Sequence, residues 1–295
     1  MNKIIYNSIL LLFFTISTTA QDIAPYFKVG ESLENINQLT EKIVTALKTN
    51  SFTVLGTYNP ANKSSLKVIT FTKTSLKNTA IKVKDRGALA AVLKIGLVEK
   101  NGKVTISYLN PDYIFRAYLR DGYALYKNTL NLISADIKNV LKEFGTEFTP
   151  FGGLENANKL KDYHYKIMMP YFTDPVELNE FSSFEEGLKI IENNLKNKIG
   201  KTVQVYKLVY PNEKVAVFGV GIQSSDKGEA HFLPIIGEDN IAAMPYEIIL
   251  QGNKATMLHG KYRIALHWPE LTMGTFMKIM STPGDIEDTL EAVCK

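Results

Sequence analysis

Two stretches decide the fold: Lys84–Pro111, KDRGALAAVLKIGLVEKNGKVTISYLNP, and Gly237–Ile264, GEDNIAAMPYEIILQGNKATMLHGKYRI. In each, a loop passes into an apolar run, a two-residue turn and a second run, with Asn101-Gly102 at the first turn and Gly252-Asn253 at the second. Gly and Asn tolerate the positive φ that tight hairpin turns demand, so each stretch predicts a β-hairpin. Lys103 and Lys254, which follow the turns, stand 151 positions apart. Upstream, Thr53-Val54 before Tyr58-Asn59-Pro60 is echoed by Thr202-Val203 before Tyr210-Pro211 at an offset of 149. Small loop changes account for a drift of that size, and the chain reads as two copies of one unit.

Helices should flank the strands in each copy. Leu33, Ile36, Leu39, Ile43 and Leu47 recur at three- and four-residue spacing within Ser32–Thr49, as do Leu188, Ile191 and Leu195 within Ser183–Lys198, which places each set along one helical stripe. Ser183 followed by Glu186 has the form of a capping box. A closing helix is predicted over Ser134–Phe144, stopping at Gly145, and another over Pro283–Val293, with Thr282 as N-cap and Pro283 in the first turn. The fold class is therefore α+β: two tandem units of strand, helix, antiparallel strands and helix. Residues 21–150 form the first and 151–295 the second, each with its own core, joined through Thr146–Leu160, where Gly145, Pro150, Gly152 and Gly153 interrupt the pattern. One face of each sheet would carry helices and the other would stay free for a twin or a partner.

Residues 1–20 combine an early lysine, the apolar run Ile9–Phe14 and the small residues Thr18-Thr19-Ala20, the pattern of a secretory signal peptide cleaved before Gln21. A periplasmic or secreted location follows. No later stretch approaches the roughly 20 apolar residues that span a bilayer, so the protein is not expected to be membrane-spanning. Cys294 is the single cysteine, which excludes an intramolecular disulfide. A formal net charge of +4 over 295 residues is too small to argue for a nucleic-acid partner. The positive excess is concentrated in Lys63, Lys67, Lys73, Lys77, Lys82, Lys84 and Arg86, a run best read as a solvated face.

Catalytic motifs are missing. Phe218-Gly219-Val220-Gly221 lacks the third glycine and the helix start of a pyrophosphate cradle, and reads as a strand whose glycines permit close approach. No Gly-x-Ser-x-Gly elbow occurs, and the acidic pairs Glu185-Glu186 and Glu238-Asp239 are sequence neighbours rather than a dyad. His164, His231, His259 and His267 have no metal-ligand spacing; convergence of the last three with Met244 or Met257 would suit copper, which keeps a copper-handling role as the weaker alternative. Met273, Met277 and Met280 follow one helical stripe after Leu271, with Phe276 beside it. Such a stripe is either core packing or an adaptable apolar wall for a ligand.

The first copy carries a further signal. Leu89–Glu99, then Asn101-Gly102-Lys103-Val104, then Ser107-Tyr108-Leu109-Asn110-Pro111-Asp112-Tyr113 resembles domain of unknown function 302, over about Ser32 to Tyr118. The second copy shares that family's phenylalanine-glycine step at Phe218-Gly219 and lacks the serine-tyrosine-asparagine-proline segment. The resemblance implies a small α+β unit similar to the TATA-binding-protein-like fold, paired in tandem, and it implies no reaction.

These readings converge on an exported, non-enzymatic binding protein for a small, largely apolar ligand, with no cofactor and no catalytic residues. The expected ligand-binding residues are Trp268, Met273, Met277, Phe276, Tyr246 and His259. The alternative is a structural or partner-binding envelope protein that uses an exposed sheet face.

Overall fold

The computed structural model describes residues 21–295; the expected leader lies outside the described residues. In the first unit, β2 (Tyr26–Ser32) leads into α1 (Ile36–Thr49), then β3 (Thr53–Tyr58) and β4 (Leu66–Thr72). After α2 (Thr74–Ala80) come β5 (Leu93–Lys100), β6 (Lys103–Leu109), α3 (Pro111–Leu119) and α4 (Gly122–Leu141). The second unit repeats the order: β9 (Val176–Glu180), α5 (Phe184–Lys196), β10 (Thr202–Tyr210), β11 (Val215–Ile222), α6 (Glu229–Ile236), β12 (Tyr246–Gln251), β13 (Lys254–Met257) and α7 (Gly260–His267). It closes with α8 (Met273–Met277) and α9 (Thr282–Cys294). The short strands β1 (Asp22–Ile23) and β8 (Glu155–Asn156) pair with each other, and β7 (Thr149–Phe151) adds to β2.

The two antiparallel sheets share one topology. The first runs β3-β4-β5-β6-β2-β7 and the second β10-β11-β12-β13-β9, so the strand preceding the first helix of each unit returns beside the last strand of its hairpin. Both predicted hairpins are present, with Lys100 paired to Lys103 and Gln251 to Lys254. Asn101 and Gly102 have φ of 53° and 74°, and Gly252 has φ of 58°, the left-handed conformations that the turn residues were expected to supply.

Helix boundaries follow local chemistry. Asn35 caps α1 by accepting from the Asn37 amide, so Leu33 falls before the helix and is exposed, outside the predicted stripe. Ser183 caps α5 by accepting from the Glu186 amide, and the Glu186 carboxylate accepts from the Ser182 amide. The capping box thus forms with its return bond one residue upstream. The closing helix of the first unit is longer than predicted and is preceded by α3, which Asn110 caps and Pro111 begins. The last helix starts at Thr282, with Ser281 before it, so Thr282 is a helical residue and not the cap. His259 caps the N-terminus of α7 and His267 ends it.

The units meet face to face. A 3-10 turn of the second unit, Ile241–Ala243, lies on β5; a Cβ on Gly96 would come within 2.4 Å of the Ile241 side chain, so glycine there admits the contact. The edge strands β3 and β10 cross where Gly56 sits against the Val205 carbonyl, at which point a Cβ would overlap it at 1.9 Å. Gly219 accommodates the Tyr206 ring, and Gly221 accommodates Tyr58 from the first unit. The buried apolar residues of both units accordingly form one cluster, in place of the two separate cores expected. Strand β11 is buried along its length and β12 along all but its last residue.

A carboxylate ties the units together. Glu229, at the start of α6, is wholly buried and accepts from the Tyr58 hydroxyl at 3.1 Å, the Ala61 amide at 2.8 Å and the Ile222 amide at 3.2 Å. Tyr58 and Ala61 come from the first unit and Ile222 from the second. Burial pushes the Glu229 carboxyl up to about 7, although these three donors pull the other way.

Candidate ligand-binding cleft and the charge cluster behind it

Helix α7 presents two faces with different chemistry. Lys261, Ile264 and Ala265, continued by Trp268 and Leu271, form one wall of a cleft; Met273 and Phe276 of α8 form another, and Tyr165 and Met169 close it from the preceding loop. Its volume is about 90 Å³. Apart from the Lys261 amine and the Tyr165 hydroxyl, the named side chains offer a ligand no hydrogen-bonding group aimed into the cleft; the Trp268 indole donates at 3.3 Å to the Gly237 carbonyl. The Tyr165 hydroxyl reaches the Leu271 carbonyl at 3.5 Å, which holds the loop against the turn before α8.

The structure brings together three of the six expected ligand residues, Trp268, Met273 and Phe276. The other three lie elsewhere. Tyr246 is buried under the Arg263 guanidinium, 3.9 Å from its ring centroid. His259 is the N-cap of α7, with Nδ1 accepting from the Lys261 amide at 3.2 Å. Burial and the Lys261 charge hold His259 below its ordinary range. Met277 is exposed, as are Met273 and Met280, so the methionine stripe is not core. Helix α8 spans five residues and fully buries none of them, although Phe276 packs against the core.

The opposite face of α7 turns inward to groups that sequence reasoning missed. Arg263 donates from Nε to Glu247 at 3.1 Å, and from Nη2 to the Ala243 and Pro245 carbonyls at 2.6 and 2.7 Å. Lys94, on β5 of the first unit, ion-pairs with Glu247 and approaches the same two carbonyls at 3.3 and 3.4 Å. All three charged side chains are buried. Burial lowers the Lys94 amine to about 8, with the Arg263 charge acting the same way against the pull of Glu247. For Glu247, burial would raise the carboxyl, but Arg263 and Lys94 outweigh it and hold it below the usual range. Two cations thus share one carboxylate, with backbone carbonyls absorbing the excess positive charge. The trace in the sequence was a charged residue inside an apolar run, Lys94 in β5 and Glu247 in β12, whereas Arg263 gave none.

His267 completes this inner face. The Tyr26 hydroxyl donates to the His267 carbonyl at 2.9 Å and lies 3.3 Å from Nδ1, while the Tyr118 hydroxyl lies 3.2 Å from Nε2. Because the Tyr26 proton is used on the carbonyl, Nδ1 carries the ring proton and Nε2 accepts from Tyr118. Burial, together with Arg263 and Lys94, keeps the ring neutral by holding it well below its ordinary range. His231 is on α6, and among the described residues no group of three or more His, Cys, Asp and Glu side chains is placed to hold a metal ion. Cys294 is buried, and desolvation raises its thiol to about 12. The basic run of the first unit is largely tied down, with Lys63 on Glu238, Lys73 on Asp136 and Lys67 on the Asn59 side chain.

No family model and no curated protein matches the chain. Among solved structures it is similar to an uncharacterized conserved protein DUF302 from Bacillus stearothermophilus, at 15% identity and a TM-score of 0.32, over 40% of this chain and 94% of that one. That neighbour carries the family name read from the first copy.

Proposed function

We propose that the protein is a non-enzymatic binding protein that takes a small apolar group in the cleft between α7, α8 and the Tyr165–Met169 loop. The observation that supports this reading is the chemistry of the lining: Trp268, Ile264, Leu271, Met273 and Phe276 enclose space that offers a ligand almost nothing but apolar contact. A cleft of about 90 Å³ lies well below the size typical of whole drug-sized ligands, about 300 Å³ and more, so it holds a chain end or a small ring while the remainder lies across the rim. Exposed methionines at that rim suit a contact that must adapt its shape, since the thioether side chain repacks at small cost. The inward side of α7 holds the wall in place, with Arg263 and His267 bonded to groups away from the cleft.

Trp268 is the single tryptophan, so its fluorescence reports on the cleft alone. Titration with a bromine-labelled medium-chain alcohol should quench it saturably, since the heavy atom quenches on contact. Ala265→Leu adds carbon atoms to the lining and should weaken that binding by about tenfold or more, at unchanged circular dichroism. Quenching that never saturates, or that is equal in the two proteins, refutes the proposal.

A further inference from the structure

The residues that rim the cleft do more than enclose it. Six of the eleven exposed large hydrophobic side chains among the described residues fall on its two banks: Ile167, Met168 and Tyr171 on the loop, and Met273, Met277 and Met280 on and just after α8. Ile167 and Met168 are 89% and 96% exposed at the tip of the loop, which is close to the exposure of a free chain. The two banks face each other, because Tyr165 and Met169 share the cleft lining with Met273 and Phe276. Among soluble surfaces single exposed apolar residues are ordinary, but a set gathered on two adjoining protrusions marks a place of contact.

The charges around this set indicate what it contacts. Lys166 adjoins Ile167 in the loop, Lys278 follows Met277, and Lys261 lines the cleft between them. Among the described residues none of the three forms an ion pair, whereas Lys161 and Lys254, lysines of the same unit, each do so. Lys166 only overlies the ring of Tyr165, at 5.1 Å. Asp162, Asp174 and Glu270 are the acidic residues nearby in sequence; Asp162 lies 3.9 Å from the Lys161 amine, and the Asp174 carboxylate is engaged by the Tyr171 amide at 2.9 Å.

Projecting apolar tips ringed by free ammonium groups match one surface in both respects. The interface of a lipid bilayer accepts apolar side chains at acyl depth and places anionic headgroups at the level of the lysines, and stable attachment of a peripheral protein takes both signals together. We infer that the protein docks on bilayers containing anionic lipid through the Lys166–Tyr171 loop and the Met273–Met280 segment. No helix of the described residues is long and apolar enough to cross a membrane, so this contact is peripheral. The docked surface shares Lys261 and Met273 with the lining of the cleft that it surrounds, and its occupant is the bilayer itself.

Flotation of the purified chain with vesicles tests this. The protein should float with vesicles of phosphatidylglycerol and phosphatidylcholine, float far less with phosphatidylcholine alone, and be released by raising the salt concentration. Ile167→Glu with Met168→Glu should abolish flotation at unchanged thermal unfolding, since neither side chain is packed. Lys166→Gln, Lys261→Gln and Lys278→Gln together should weaken binding to the anionic vesicles on the order of a hundredfold. Ala265→Leu separates this inference from the ligand-binding proposal, because it should impair quenching by the soluble alcohol and leave flotation intact. Failure of the wild type to float, or flotation that survives the double glutamate change, overturns the inference. So does ultracentrifugation showing that the double change converts a dimer into a monomer when no vesicle binding is seen.

Discussion

Glu229→Gln probes the carboxylate that joins the two units. Moving its carboxyl from an ordinary 4.5 up to about 7 in the folded chain, at about 1.4 kcal/mol per pH unit, corresponds to about 3 kcal/mol. The sign follows from proton counting. Between pH 4.5 and 7 the folded chain holds a proton that the unfolded chain has released, so rising pH favours unfolding across that window. Glutamine removes the titration while keeping one acceptor for the Tyr58, Ala61 and Ile222 donors. Urea unfolding of both proteins at intervals from pH 4.5 to 7.5 gives the difference in stability, wild type minus variant, which should fall by about 3 kcal/mol on going up that range. His267 acts in the opposite sense, because its folded value lies below its unfolded one and its neutral burial costs stability as pH drops through 6.5. That contribution is common to both proteins and cancels in the difference. A difference that stays flat with pH would show that the carboxyl is not held up by burial, and would refute the account of the clamp.

Two further predictions concern α7 and α8. Arg263→Met should cost about 3–5 kcal/mol, because it leaves Glu247 with only Lys94 and strips the Ala243 and Pro245 carbonyls of their closest donor. Lys94→Met should cost clearly less, since Arg263 still holds Glu247 and both carbonyls, which Lys94 only approaches at 3.3 and 3.4 Å; equal losses in urea unfolding would contradict the assignment of Arg263 as the main donor of the cluster. Met277→Ala should change stability by no more than about 0.5 kcal/mol, as expected of a side chain that is 57% exposed, and a loss of several kcal/mol in thermal unfolding would return the methionine stripe to the core.

What could be read from the sequence was what local chemistry dictates. The Asn101-Gly102 and Gly252-Asn253 turns, the cap at Ser183 and the duplication itself each depend on residues a few positions apart, whose conformational preferences act wherever the chain goes. The apolar cleft was half legible for the same reason: Trp268, Met273 and Phe276 stand close together in sequence, and only Tyr165 and Met169 arrive from a distant segment. Periodicity left the burial of Met277 open, because a repeat of apolar residues shows which side chains share a face and not whether anything covers that face. Tertiary structure alone decided the rest. Lys94, Glu247 and Arg263 sit on three elements of two units, and Glu229 gathers donors from Tyr58, Ala61 and Ile222; nothing local in the chain shows which of them will meet. Their meeting follows from the packing of one unit's turn on the other's sheet, and a buried charge acquires its partners only when that packing has excluded water from around it.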